Sequence, residues 1–111
     1  MQVCISANSE STDAQMDAKF GRCQYLLFID TDTMKVESFP NTYKDAQSGA
    51  GTQVAQEVIS RNPDALITGH VGPHAAELLK SSQIPVYSAE EVTVRTAIDD
   101  LLNDRLKQQE L

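Results

Sequence analysis

The order of secondary-structure elements is decided by residues 65–74, which read Ala65-Leu66-Ile67-Thr68-Gly69-His70-Val71-Gly72-Pro73-His74. The residues before Gly69 form a short apolar run that predicts a buried strand. Proline is favoured at the first position of a helix, where its missing N–H costs nothing, so Pro73 predicts a helix start. A further strand is predicted over Ile84 to Tyr87. Two strands joined by a helix predict a parallel pair with a right-handed crossover.

The same pattern of elements extends toward both ends of the chain. A preceding helix is predicted, and Asn62-Pro63 ends it because the residue before proline is steered away from helical geometry. Its apolar face consists of Val54, Ala55, Val58 and Ile59. A last helix has apolar residues at helical spacing, namely Val94, Ala97, Ile98, Leu101 and Leu102. Three strands are predicted upstream, the last two as a hairpin: Gln2 to Ala7, Tyr25 to Ile29 and Met34 to Phe39.

The predicted fold is therefore one α/β domain with a mixed sheet and the element order β-β-β-α-β-α-β-α. Pro85 cannot donate a hydrogen bond to a neighbouring strand, so the last strand is expected at a sheet edge. Residues 1–106 are assigned to the domain. The polar residues 107–111 are assigned to a C-terminal tail that frays.

Composition restricts the location and the partners of the chain. Of its 111 residues, 41% are hydrophobic and 23% charged, which is enough apolar surface for one core. The formal net charge of -7 argues against a nucleic-acid partner, because such binding depends on Lys and Arg neutralising phosphates. No basic leader precedes the first strand, and no stretch approaches the roughly 20 apolar residues of a membrane span. Cys4 and Cys23 are too few for a disulfide scaffold, so reduced thiols and a cytoplasmic location are expected.

Three loops are expected where ligands bind in open α/β sheets, beyond the carboxyl ends of the parallel strands. They are Phe20-Gly21-Arg22-Cys23, Gly49-Ala50-Gly51-Thr52 and Gly69 to His74. The second and third lead into helices, whose unpaired N–H groups and dipoles attract anions, and their glycines let a ligand approach the backbone. These loops predict a site for an anionic ligand. The alternative is that the glycines only make turns.

Four side chains near these loops have both a functional and a structural interpretation. Arg22 presents a planar guanidinium that holds an anion with several donors, or it forms an ordinary salt bridge between loops. His70 and His74 are candidate metal contacts, or they cap backbone groups or face solvent. The charge of Arg22 favours a thiolate at Cys23, and thiolates bind metals, whereas burial reverses this effect and makes Cys23 a packing residue. Cys4 lies inside a strand and is expected in the core.

Catalysis has no comparable support in the sequence. There is no Ser/His/Asp order, no pair of acid–base carboxylates and no closed zinc set. Gly49-Ala50-Gly51 lacks the third glycine of the dinucleotide motif, where Val54 stands, and the Lys-Ser/Thr of a phosphate loop is missing. We therefore expect binding rather than turnover, and not an enzyme.

With these residues assembled, the chain resembles the dinitrogenase iron–molybdenum cofactor biosynthesis family of nitrogenase accessory proteins, as a small single-domain member. The resemblance runs through most of the chain. Its motifs are Phe20-Gly21-Arg22 before the second strand, Gly49-Ala50-Gly51 before the first helix, Thr68-Gly69 with Gly72-Pro73 before the second helix, and Thr93-Val94 opening the last. Each motif is common alone, and their order and spacing together are specific.

The resemblance implies a ribonuclease-H-like fold and a carrier that binds and delivers an anionic metal–sulfur cluster without covalent attachment. The cluster is the iron–molybdenum cofactor, its precursor or a related molybdenum-containing cluster, and a purified sample can lack it. Small members also resemble a protein that holds a mixed molybdenum–copper sulfide cluster. The implied partners are the donor or recipient proteins of cofactor assembly. The chain itself is expected as a monomer or weak homodimer.

The resemblance also implies a set of site residues. The residues that would meet the cluster are Phe20, Gly21, Arg22, Gly49, Ala50, Gly51, Gly69 and Gly72. Direct contact with a metal would come from His70, His74 or Cys23. Two other classes stay open: a small enzyme that acts on an anionic small molecule in the same pocket, and a regulatory interaction domain without a cofactor.

Overall fold

Six strands form one mixed sheet, and three helices cover its two faces, in a computed structural model that describes residues 1–111. The strands are β1 Gln2–Ala7, β2 Tyr25–Asp30, β3 Lys35–Pro40, β4 Ala65–Thr68, β5 Val86–Ser88 and β6 Lys107–Gln108. The helices are α1 Ala50–Arg61, α2 Pro73–Ser81 and α3 Val94–Leu102. The strand order is β3-β2-β1-β4-β5-β6. The predicted α/β class with a mixed sheet is confirmed.

The central strand β1 organises both hydrophobic cores. It pairs antiparallel with β2 and parallel with β4, and Val3 to Ala7 are buried. Because neighbouring side chains on a strand point to opposite faces, Cys4 packs with α1 and α2 whereas Val3 and Ile5 pack with α3. A strand buried on both faces is mostly apolar, which explains the apolar runs in β1, β2 and β4. The buried hydroxyls of Ser6 in β1 and Thr68 in β4 share a hydrogen bond at 2.7 Å.

The helix boundaries follow from local backbone chemistry. Gly49 precedes α1 with a φ of 75°, a left-handed conformation that glycine adopts without strain. Asn62 ends α1, also left-handed, and its N–H donates to the Val58 and Ile59 carbonyls. Pro73 is the first residue of α2, as predicted. At α3, the Thr93 hydroxyl accepts a hydrogen bond from the Thr96 N–H at 3.2 Å, which caps the first turn.

The C-terminal segment differs from the prediction that it frays. Lys107 and Gln108 form β6, which pairs antiparallel with β5, and the Gln109 N–H donates to the Val86 carbonyl at 2.7 Å. Leu111 packs against the core on the α1 and α2 side. The segment is held by backbone pairing and one apolar anchor, so its polar side chains do not make it loose.

The last predicted strand, β5, was expected at the edge of the sheet, and this prediction is wrong because β6 pairs with it. β5 lies between β4 and β6, and β6 occupies the edge. Pro85 precedes β5 rather than lying within it, so its missing donor removes no bond from the ladder, and its carbonyl accepts from the Leu66 N–H at 3.0 Å. No helix in the chain has the length and apolar character to cross a membrane.

Deleting residues 107–111 should lower the free energy of unfolding by about 2 kcal/mol, because the β5 edge loses its partner and Leu111 leaves the core. Urea denaturation of the full-length and shortened chains measures this difference. The control is the double substitution of Lys107 and Gln108 by alanine, which keeps the backbone pairing and should change stability by no more than about 0.5 kcal/mol. Equal stability of the shortened chain would contradict a structural role for β6.

Candidate functional site

The segment from Ala14 to Phe20 follows β1 and crosses the end of the sheet where the loops lie. It passes the end of β1, the loop after β4 and the start of α3, through the isolated bridges Ala7 to Met16, Lys19 to His70 and Gln15 to Thr93. Its backbone is tied down, since the Asp17 N–H donates to the Ser6 carbonyl at 3.0 Å and the His70 N–H donates to the Ala18 carbonyl at 2.8 Å. The loops at Arg22, Gly51 and Gly69 are therefore brought to the same end of the sheet.

Two glycines make this close approach possible. A Cβ atom on Gly69 would lie 2.4 Å from the Ala18 carbonyl oxygen, and one on Gly21 would lie 2.7 Å from the Gly51 Cα. Both distances are shorter than contacts that real Cβ atoms make, so backbone packs directly on backbone at each point. A Cβ on Gly72 would meet nothing within 4 Å. Gly21 and Gly69 thus serve packing, while the space beside Gly72 is open.

The N-termini of α1 and α2 differ from that of α3. No side-chain hydrogen bond caps α1 or α2, whereas Thr93 caps α3. The first two N-termini are neighbours, because a Cβ on Gly51 would lie 3.6 Å from the Ala75 Cβ. N–H groups of a first helical turn have no partner within the helix. Two adjacent helix N-termini therefore present N–H groups and the positive ends of two helix dipoles.

The predicted cluster-meeting residues divide into buried and accessible ones. Phe20 and Ala50 are only 1% and 4% exposed, so they belong to the core. Gly49 is exposed, while Gly51 and Gly72 are half-buried. The accessible part of the predicted set is therefore backbone at the N-termini of α1 and α2, together with the exposed side chain of Arg22.

Arg22 connects two loops. Its Nη1 donates to the Lys44 carbonyl at 2.6 Å, which holds the loop before α1 against the loop before β2. The bond goes to a backbone carbonyl and not to an acid, so the positive charge of Arg22 is not paired there. The guanidinium has five N–H groups, so donors remain for a second acceptor.

Cys23 is buried, and its thiol is protonated at neutral pH. Burial, with a smaller contribution from the Asp17 carboxylate, raises the pKa of Cys23 to about 12, while a hydrogen bond from Asn41 acts in the opposite direction. The effect of burial exceeds any thiolate stabilisation expected from Arg22. Burial also raises the pKa of Cys4 well above its ordinary value. In this conformation neither cysteine offers a thiolate to a metal.

His70 and His74 are both exposed but lie in different surroundings. His70 lines a polar cleft of about 530 Å³ together with Gly69, Ser88, Glu90 and Lys107 to Glu110. His74 is the second residue of α2, beyond Gly72 and Pro73. The chain contains no group of three or more His, Cys, Asp or Glu side chains placed to hold a metal ion. A metal contact here would be a single ligand and not a closed cage.

Two residues at this end carry no signal that singles them out in the sequence. Gln109, in the segment predicted to fray, donates from Nε2 to the Gly69 carbonyl at 2.7 Å and so joins the C-terminus to the glycine loop. Asn41 is buried and donates from Nδ2 to the Gly21 and Cys23 carbonyls, both at 3.0 Å. An asparagine after proline predicts only a turn, and a polar tail predicts no contact at all.

Comparison with known proteins gives consistent matches over nearly the whole chain. The family model described as dinitrogenase iron-molybdenum cofactor matches residues 1–104. The apo form of the orange protein from Desulfovibrio gigas superposes with a TM-score of 0.92 and 29% identity, over 97% of this chain and 92% of that one.

Two further relatives agree with these matches. A NifB-like protein of the DUF35 family from Thermotoga superposes with a TM-score of 0.82 and 33% identity, over 96% of this chain and 91% of that one. An uncharacterized protein from Methanocaldococcus jannaschii is 25% identical over 96 residues, which is 84% of this chain and 81% of the other. The fold and the family are thereby shown, while the relatives' ligands remain properties of the relatives.

The glycine packing predicts opposite outcomes for two neighbouring substitutions. Gly69→Ala forces a side chain onto the Ala18 backbone and should destabilise the protein by about 1–3 kcal/mol. Gly72→Ala meets open space at a φ of -67° and should change stability by no more than about 0.5 kcal/mol. Chemical denaturation of the two variants and the parent distinguishes them. Similar stabilities would show that Ala18 and Gly69 are not in backbone contact.

The buried thiol of Cys23 predicts a loss of stability in alkali. An unfolded chain releases this proton near a pKa of roughly 8.5, while the folded protein keeps it up to the pKa of about 12. Between these values the unfolded state binds fewer protons, so the free energy of unfolding falls by about 1.4 kcal/mol per pH unit for this thiol.

The measurement compares the parent with Cys23→Ala under reducing conditions, by urea denaturation from roughly pH 9 to 11. The free energy of unfolding of Cys23→Ala should fall less steeply with rising pH than that of the parent, because the contribution of the Cys23 thiol is missing. Cys4 is present in both chains, and burial, the largest cause of its raised pKa, is kept in the variant, although the smaller contribution from Cys23 is lost. Identical slopes would mean that the folded protein already holds Cys23 as a thiolate.

Proposed function

Since this chain belongs to the dinitrogenase iron-molybdenum cofactor family, we propose that it is an accessory carrier, and not an enzyme, that binds and delivers an anionic metal–sulfur cluster without covalent attachment. The cluster is cargo: the iron–molybdenum cofactor, its precursor or a related molybdenum-containing cluster. Its donors and recipients are other proteins of cofactor assembly. The chain works in the cytoplasm as a monomer or weak homodimer.

The observation that carries this proposal is the pair of uncapped helix N-termini. α1 and α2 begin side by side, without side-chain caps, next to the loop that carries Arg22. An anion placed there receives backbone N–H groups and the positive ends of two helix dipoles without needing a cationic protein surface. This local arrangement explains how a chain with a net charge of -7 would still attract an anion.

Within the proposed site the residues have separate roles. Gly49 and Gly72 leave open space beside the backbone, Gly51 brings the first turn of α1 close to α2, and Gly21 and Gly69 keep the loops close enough to act together. Arg22 would add a charged, directed hydrogen bond from the donors that Lys44 does not use. Phe20 and Ala50 would support the loops from the core side.

Direct contact with a metal is proposed for His70, with His74 as the second candidate. His70 is exposed in a roomy cleft, and imidazole nitrogen suits first-row metals. Cys23 would become a ligand only if the loop opened, because its thiol is buried and protonated. A single contact of this kind suits a carrier, since cargo held by one metal bond and several hydrogen bonds can be released to a partner.

The proposal is tested by anaerobic titration of the metal-free protein with isolated iron–molybdenum cofactor, and separately with tetrathiomolybdate plus copper. Absorption and metal analysis after desalting should show saturable uptake at fixed stoichiometry for at least one cluster. An enzyme of the same fold would instead turn over an anionic substrate, and a regulatory domain would do neither. Absence of retained cluster in both titrations would refute the carrier role.

Arg22→Ala should weaken cluster binding on the order of tenfold to a hundredfold, the value of one charged hydrogen bond of ~1.5–3 kcal/mol. Arg22→Lys should restore part of the affinity, because lysine keeps the charge but loses the planar fork. Arg105→Ala is the matched control, since Arg105 is an exposed arginine that pairs with Asp100 near the C-terminal end of α3.

Stability must be measured on the same variants, because Arg22 also binds the Lys44 carbonyl. An exposed bond of this kind contributes about 1 kcal/mol, so all variants should remain folded. Affinities that do not differ between the parent and Arg22→Ala would remove Arg22 from the site and leave it as a connection between loops.

A further inference from the structure

A second pocket lies apart from the glycine loops, between α1 and the β2–β3 hairpin. Its volume is about 260 Å³. Its lining is apolar at Leu26, Phe28, Phe39 and Val54 and charged at Glu57 and Arg61. This volume is slightly below the usual range for sites of drug-sized ligands, so the pocket has room for one ring with a short chain.

Arg61 is held in place by aromatic rings rather than by an acid. Its guanidinium carbon lies 3.6 Å from the centroid of the Phe39 ring and 5.3 Å from that of Phe28. The two rings meet edge to face, with centroids 5.7 Å apart. Its ion pair with Glu57 is long, at 3.9 Å, and both side chains are partly exposed. Cation–π contact uses the face of the guanidinium and leaves the N–H groups at its edge free.

We propose that this pocket binds a small amphipathic anion, with an apolar ring or short chain against Leu26, Phe28 and Val54 and one carboxylate on Arg61. The guanidinium is planar and forms paired hydrogen bonds with carboxylates. Stacking on Phe39 fixes its position before the ligand arrives, so little side-chain entropy is lost on binding. None of the residues that line the pocket belongs to the proposed cluster site.

The charge of the ligand follows from what already occupies the aromatic faces. A cationic ligand would need an aromatic face, but Arg61 covers that of Phe39 and would repel a second cation. Glu57 opposes an anion, but its side chain is 45% exposed and its pair with Arg61 is long, so it can turn into solvent. Competition with Glu57 predicts moderate affinity, with a Kd of roughly 0.1–1 mM.

The pocket also has a connection to the loop of Arg22. Asn41 borders the pocket, and its Nδ2 holds the Gly21 and Cys23 carbonyls. The Tyr43 N–H donates to Asn41 Oδ1 at 3.0 Å, and Tyr43 also borders the pocket. A ligand that contacts this border touches the residue that positions the Gly21 loop.

The test uses 3-phenylpropanoate as the probe, with 3-phenylpropanamide and 3-phenylpropylamine as neutral and cationic analogues of the same size. Titrations of the full chain are followed by chemical shifts of the backbone amides and of Arg61 Nε–H. The carboxylate should bind saturably, with shifts centred on Phe28, Phe39, Tyr43 and Arg61. The amide and the amine should bind at least about tenfold more weakly, the value of one charged hydrogen bond.

Variants separate recognition from general folding effects. Arg61→Gln should reduce carboxylate affinity about tenfold or more and remove the preference over the amide, and Arg61→Lys should keep part of it. Arg105→Gln should bind like the parent. Glu57→Gln, which removes the competing acid, should bind the carboxylate more tightly. Equal binding of all three probes, preferred binding of the amine, or no saturable shift would overturn the proposal.

Discussion

The ligand end of this protein depends on backbone lying directly against backbone. At Gly69 against Ala18 and at Gly21 against Gly51 there is no room for a Cβ atom. These two contacts draw the segment after β1 onto the end of β4 and onto the first turn of α1. Without them the loops would stand apart by the width of a side chain, and Arg22, the α1 N-terminus and the His70 loop would no longer share one surface.

Much of the fold follows from local chemistry that is visible in the sequence. The apolar runs of β1, β2 and β4, Pro73 at the start of α2 and Asn62-Pro63 at the end of α1 each have one physical explanation. β6 had no such signal, because a two-residue strand with exposed side chains is made by backbone pairing alone. The wrong edge position of β5 came from reading Pro85 as part of the strand, whereas β5 begins at Val86 and β6 pairs with it at the edge.

The sequence predicts which loops form the candidate site, but not what each residue in those loops does. Glycines before two helices indicate anion-binding backbone, and the structure places the two helix N-termini side by side. Which glycine packs and which leaves space depends on the residue across the contact, and nothing near Gly69 in sequence indicates Ala18. Burial likewise decides the state of the Cys23 thiol, and the neighbouring Arg22 suggests the opposite. Asn41, which holds two carbonyls of the Gly21 loop, is identifiable only in three dimensions.

The segment from Ala14 to Phe20 has a consequence for the order in which the molecule assembles. Some of its partners, Ser6 and Ala7, lie about ten positions earlier in the chain, whereas others, among them Val92 and His70, lie some fifty to eighty positions further along. Contacts between such distant residues cost the most loop-closure entropy, so we expect them to form after β1, β4 and α3 are in place. Met16 and Phe20 of this segment belong to the two hydrophobic clusters, so the segment, once formed, can detach only by exposing both cores.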